Sequence, residues 1–64
     1  MKSYSSREII RILERSGWVL KAVDGDHHQF IHAERKGKVT VQHPVKDLPA
    51  WIVKSIERQS GLKF

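Results

Sequence analysis

The sequence predicts an α+β fold of order α-β-β-β-α, a three-stranded antiparallel sheet with both helices on one face. Three observations predict it. Apolar residues recur at helical spacing near both ends, in Ile9-Ile10-Ile12-Leu13 and in Ile52-Val53-Ile56. Between them lie three short runs rich in β-formers, separated by glycine-containing turns. Apolar residues make up 39% of 64, enough for one buried sheet face and two helix stripes but not for a second core. Residues 1–64 are therefore read as one domain.

The first helix is expected over Arg7 to Ser16. Ser5 and Glu8 form a capping box, in which each side chain takes up a backbone N–H that the first turn leaves free. Arg7, Arg11, Glu14 and Arg15 take the side away from the apolar stripe, and Gly17 ends the helix. Trp18 to Val23 is the first strand. Asp24-Gly25 is the expected hairpin dipeptide. His27 to Ala33 is the second strand, Glu34-Arg35-Lys36-Gly37 a polar turn, and Lys38 to Gln42 the third strand. His43-Pro44 ends that strand, since proline cannot donate to a ladder. Pro49 suits the first turn of the second helix, which Gly61 closes, leaving Leu62 to pack back.

Twelve Lys/Arg against seven Asp/Glu give a net charge of +5 and a pI near 10.0. That balance points to a polyanionic partner, with nucleic acid ahead of a membrane or an acidic protein. There is no cysteine, hence no disulfide framework and no thiolate metal site. No apolar run approaches the ~18 residues of a membrane span, and Met1-Lys2-Ser3-Tyr4 carries no apolar leader. The expectation is a cytoplasmic protein.

Side chains alternate across a strand. Phe30 is the large apolar residue of the second strand and marks the covered face, which His28 and His32 share. His27, Gln29 and Ile31 then point to the open face. There they meet Lys38, Thr40 and Gln42, opposite the inward Val39 and Val41. The open face thus gathers hydrogen-bonding groups, a cation and one titratable imidazole. His28 is read as a half-buried, hydrogen-bonded residue, although a bulge near Asp24-Gly25 would exchange the two roles.

Imidazole is the side chain best suited to move protons near neutrality. RNA offers a reaction that needs little else: deprotonation of a 2′-hydroxyl, attack on the adjacent phosphate, and protonation of the leaving 5′-oxygen. A metal site is disfavoured. His27 and His28 diverge to opposite faces, and His28 and His32 stand roughly 13 Å apart along a strand. No carboxylate at ligand spacing completes a set with His43. Arg35-Lys36-Gly37-Lys38 is a basic turn suited to phosphate contact or to plain solvation. Trp18 and Trp51 are candidates for stacking on bases, with the core margin as the expected alternative.

Gly17-Trp18, Gly25-Asp26-His27-His28-Gln29-Phe30, Val39-Thr40-Val41-Gln42-His43-Pro44, Lys54-Ser55-Ile56 and Gly61-Leu62 together resemble the HicA toxins, also called YcfA-like mRNA interferases. The resemblance covers nearly the whole chain. It implies a double-stranded-RNA-binding-like (dsRBD-like) α-β-β-β-α fold and a toxin of a type II toxin–antitoxin system. The implied activity is metal- and ribosome-independent endonucleolytic cleavage of mRNA, with arrest of translation and growth and no cofactor. The implied partners are mRNA and a HicB-like antitoxin that covers the active site in a hetero-oligomer. The family's catalytic histidine falls on His27, with His28 in reserve, and Gln29, Arg35, Lys36, Lys38 and Thr40 are the expected RNA contacts.

Three departures stand out. Asp26 replaces a serine or glycine before the histidine, and its carboxylate either favours a protonated imidazole or repels the scissile phosphate. Gln42 replaces a common proline. Trp51-Ile52-Val53 replaces a Gly-Thr-Leu-like helix start. The second reading is a non-catalytic RNA-binding module of the same fold, held by shape and phosphate contacts. A DNA-binding regulator is disfavoured, because neither helix is expected to have a spare basic face.

Overall fold

The protein is described by a computed structural model over residues 3–64. Met1 and Lys2, part of the stretch read above for a leader, lie outside the described residues. The order is α1 (Ser6–Arg15), β1 (Trp18–Asp24), β2 (His27–His32), β3 (Arg35–Gln42) and α2 (Ala50–Ser60). The strands form one antiparallel sheet in the order β1-β2-β3. No helix among the described residues is long and apolar enough to cross a membrane.

The capping box at α1 is present in full. Glu8 N–H donates to Ser5 Oγ at 3.1 Å, and Ser5 N–H donates to Glu8 Oε1 at 3.0 Å. The stripe it starts buries Ile9 and Leu13 against Trp18, Phe30, Val39, Val41, Leu48 and Ile56, which make the core. Trp18 therefore belongs to the core itself, at 2% exposure, and not to its margin. The N-terminal segment also pairs with the β3–α2 connector: Ser6 N–H donates to Val45 O at 2.9 Å and Leu48 N–H to Tyr4 O at 2.8 Å.

Both hairpin turns differ from expectation. Asp24 is the last residue of β1 and pairs with His27, so the first turn is Gly25-Asp26. Gly25 has φ +62°, and among the described residues no non-glycine has positive φ. Positive φ at the first central position alone is the requirement of a II′-type turn, which glycine meets without strain. The second turn is Ala33-Glu34, and Arg35 already pairs with His32 in the sheet. Glycine had suggested a turn near Gly37. Instead it lies inside β3, where the register slips between the His32–Arg35 and Phe30–Val39 pairs. That bulge takes up Lys36, Gly37 and Lys38 opposite Ile31.

A second bulge lies in β1, where the register shifts between Leu20 and Ala22. It keeps Leu20 opposite Phe30 and Val23 opposite His28, on the helix side of the sheet. The helices do not reach that edge: Leu20 is 45% and Val23 53% exposed. In α2, Pro49 is the N-cap rather than the first helical residue, and its carbonyl accepts from Ile52 and Val53. Trp51, expected at the core margin, is 70% exposed.

Candidate active site

The β1–β2 turn carries the candidate site and the end of β3 fixes the turn. His43 N–H donates to Asp26 O at 2.8 Å, and Gln42 Nε2 donates to Asp26 Oδ2 at 2.9 Å. Asp26 is thus held by backbone and side chain together. Its carboxyl lies below the usual carboxylate range, chiefly because the Gln42 amide donates to the charged form. Its other oxygen, Oδ1, stands 3.7 Å from His27 Nε2, too far for a hydrogen bond but close enough for charge attraction.

The His27 side chain is 58% exposed and pairs across the sheet with Gln42. Gln29 lies two residues on, opposite Thr40. Phe30, Val39 and Val41 are buried beneath the helices, so alternation places His27, Gln29, Thr40 and Gln42 together on the open face. Thr40 N–H is taken by Gln59 Oε1 of α2 at 3.3 Å, which covers part of the β3 edge.

Arg35 and Lys36 are not brought to this place. Arg35 opposes His32, about five strand residues or ~17 Å from His27. Its guanidinium lies over Gly61, at the C-terminal end of α2, where a cation offsets the unpaired carbonyls. Lys38 sits between these ends, within the bulged part of β3.

His28 occupies the face of Phe30, as alternation requires, but not in the expected bonded state. Its Nδ1 is buried and has no hydrogen-bond partner. Its ring instead meets His43 edge to face, with centroids 5.0 Å apart. His43 is held in turn by Ser6 of α1, with Nδ1 2.6 Å from Ser6 Oγ. The same buried hydroxyl accepts from Val45 N–H at 2.8 Å and lies 3.2 Å from Val45 O. The hydroxyl carries one proton, so when it donates to Val45 O the ring must donate Nδ1–H to it. This Ser6–His43–His28 cluster lies across the sheet from His27. The sequence presents His43 as a strand end, a motif residue and a disfavoured metal ligand, and does not reveal its bond to Ser6, 37 residues away.

His32 is a structural residue. Its ring bonds Ser16 O through Nε2 at 2.9 Å, and Glu34 N–H donates to its Nδ1 at 3.0 Å. One bond needs Nε2–H and the other a lone pair on Nδ1, so the neutral Nε2–H tautomer is fixed. The ring also packs edge-on against Trp18, with centroids 5.2 Å apart. A Cβ on Gly17, itself at φ +94°, would stand 2.8 Å from His32 Nε2.

Among the described residues no three His, Asp or Glu side chains are grouped to hold a metal ion. The outward face of α1 carries Arg7, Arg11 and Arg15 at i, i+4 and i+8, all exposed. One helix therefore does have the basic face that the sequence reading denied. No curated protein sequence matched the chain. The model of the family described as the HicA toxin of bacterial toxin–antitoxin systems matches residues 6–62. The match takes in both helices, all three strands and the Gly25-Asp26 turn, and the chain belongs to the HicA toxin family.

Proposed function

We infer that this toxin is a metal- and ribosome-independent mRNA endoribonuclease in which His27 is the general acid/base. The observation that carries the reading is the Asp26–His27 arrangement: an exposed imidazole 3.7 Å from a carboxylate that Gln42 holds in its charged form. In the reaction His27 accepts the proton of a 2′-hydroxyl. The new O2′–P bond forms as the P–O5′ bond breaks; water protonates the leaving oxygen and the imidazolium returns its proton to the solvent, leaving a 2′,3′-cyclic phosphate and a 5′-hydroxyl. Asp26 stabilises the imidazolium that forms and orients the ring.

Gln29 and Thr40 border the imidazole on the same face and take hydrogen bonds from the substrate strand. Lys38, Lys36 and Arg35 follow at increasing distance along the β2–β3 hairpin and hold the RNA backbone beyond the cleaved bond. Exposure supports His27 over His28, whose ring is half-buried against His43. The partner is a HicB-like antitoxin that covers the open face and shuts off cleavage in a hetero-oligomer.

The test is incubation of the purified protein with single-stranded RNA in EDTA, followed by analysis of the product ends. Fragments ending in 2′,3′-cyclic phosphate are the expected result. RNA retained without cleavage would instead identify a binding module, and 3′-hydroxyl ends would rule out the 2′-hydroxyl route.

A further inference from the structure

We propose that the outward face of α2 is a second, non-cleaving subsite for single-stranded RNA. In it Trp51 stacks on one base, and Lys54 and Arg58 hold the neighbouring phosphates. The proposal rests on the RNA reading above and adds to it where the strand is held away from His27.

Trp51 is the most exposed large apolar side chain among the described residues, at 70%. Its exposure follows from the phase of the helix. Ile56 and Ser60 are buried, and Ile52 and Val53 pack partly against the core, which turns Trp51 outward. Lys54 and Arg58 follow at i+3 and i+7 and are exposed as well, so the three form one continuous stripe. Lys54 lies about 4.5 Å and Arg58 about 10.5 Å along the axis from Trp51.

Glu57, the only carboxylate of α2, borders the same groove as Lys54 and Arg58 and accepts Phe64 N–H at 2.8 Å, so two cations of the stripe stand against one carboxylate. Neither Lys54 nor Arg58 has an ion-pair partner among the described residues. A groove lined by Lys54, Glu57 and Arg58 continues past Gly61 and Leu62 to Lys63, where three cations outnumber the one carboxylate. An indole beside unpaired cations is the composition of sequence-tolerant single-strand sites, where the ring takes a base face and the cations follow the backbone. Here the outward neighbours are charged, on a chain of net charge +5, which favours the polyanion.

The experiment is a titration of the full chain with a 2′-O-methyl oligoadenylate, which cannot be cleaved through the 2′-oxygen. Binding is read by indole emission and by affinity as a function of salt. Trp18 is buried and Trp51 exposed, so quenching should appear in the wild type and vanish in Trp51→Phe. Trp51→Ala should weaken binding by about 5- to 150-fold, the range for loss of one stacked base, while Trp51→Phe keeps most of the affinity. Lys54→Gln and Arg58→Gln should each lower the slope of log affinity against log salt by about 0.7. Equal affinity for wild type and Trp51→Ala, with emission unmoved by RNA, would overturn the proposal and leave the indole to a protein partner. If cleavage persists in that case, the nuclease reading stands without this subsite. A wild type that neither binds nor cleaves RNA overturns both.

Discussion

The side-chain amide of Gln42 donates to Asp26 Oδ2 at 2.9 Å and leaves Oδ1 facing His27 Nε2. This bond fixes the position of the carboxylate next to the proposed catalytic imidazole. Asp26 is a charged acceptor fixed between β3 and the turn, with one oxygen bonded to Gln42 and the other 3.7 Å from His27 Nε2. Gln42, which replaces a proline in the family pattern, is what makes the arrangement possible, since proline has no side-chain amide.

Removing that donor is the first prediction. In Gln42→Ala the Asp26 carboxyl should rise toward its ordinary value of 3.8 and lose its anchor. Cleavage at neutral pH should fall by roughly tenfold, less than the roughly 10²- to 10⁴-fold of a group that transfers the proton itself, because Gln42 acts only through Asp26. The rate should fall in single-turnover assays at saturating RNA, with little change in affinity.

Asp26 also sets an acid limit. Its carboxyl is depressed in the folded chain, so its contribution to stability is present above the unfolded-state value and is lost as pH falls through the folded value. Denaturant titrations of wild type and Asp26→Asn should therefore differ by a constant amount from neutrality down to about pH 4. The difference should shrink below that. A gap that persists undiminished at lower pH would remove Asp26 as the titrating group.

Much of this frame is legible in the sequence. Ser5 with Glu8, the stripe Ile9–Leu13, and the parity of Phe30 against Val39 and Val41 depend on neighbours close in the chain or on simple alternation. The turns were misplaced by one or more residues because glycine signals positive φ without saying which turn position it fills. Gly25 proved to be the first central residue, not the second, and Gly37 a bulge. The pairing of Ser6 with His43 and the place of Arg35 over Gly61 arise from tertiary contacts that local pattern does not encode. Trp51 is exposed because the phase of α2 is set by Ile56 and Ser60, and its own hydrophobicity does not override that.

Ser6 is expected to matter for stability and not for chemistry. Ser6→Ala deletes a buried hydroxyl that serves Val45 N–H and His43 Nδ1. It should cost about 1–3 kcal/mol, the range for leaving such groups unpaired. Urea unfolding measures this, and cleavage per folded molecule should be unchanged.

His32 should appear in long-range proton–nitrogen spectra as the Nε2–H tautomer at neutral pH, as its bonds to Ser16 O and Glu34 N require. His32→Ala should destabilise the chain by about 1–3 kcal/mol. An Nδ1–H signal would contradict the assignment.

Arg35 and Lys36 stand far enough from His27 that they should affect binding alone. Arg35→Gln with Lys36→Gln should raise KM in RNA cleavage several-fold and lower the salt slope by about 1.4, at 0.7 per phosphate contact. The rate at saturating RNA should stay near wild type. A fall in that rate would mean that the hairpin tip approaches the cleaved bond.

The most direct test of the central claim is the single-turnover rate of RNA cleavage, in EDTA, by His27→Ala and His28→Ala side by side, with the fold of each checked by circular dichroism. Assignment of proton transfer to His27 predicts that His27→Ala folds normally and loses at least about a hundredfold in rate, while His28→Ala retains most of its activity per folded molecule. Wild-type cleavage by a folded His27→Ala would contradict it, and loss confined to His28→Ala would move the chemistry to the other face of the sheet.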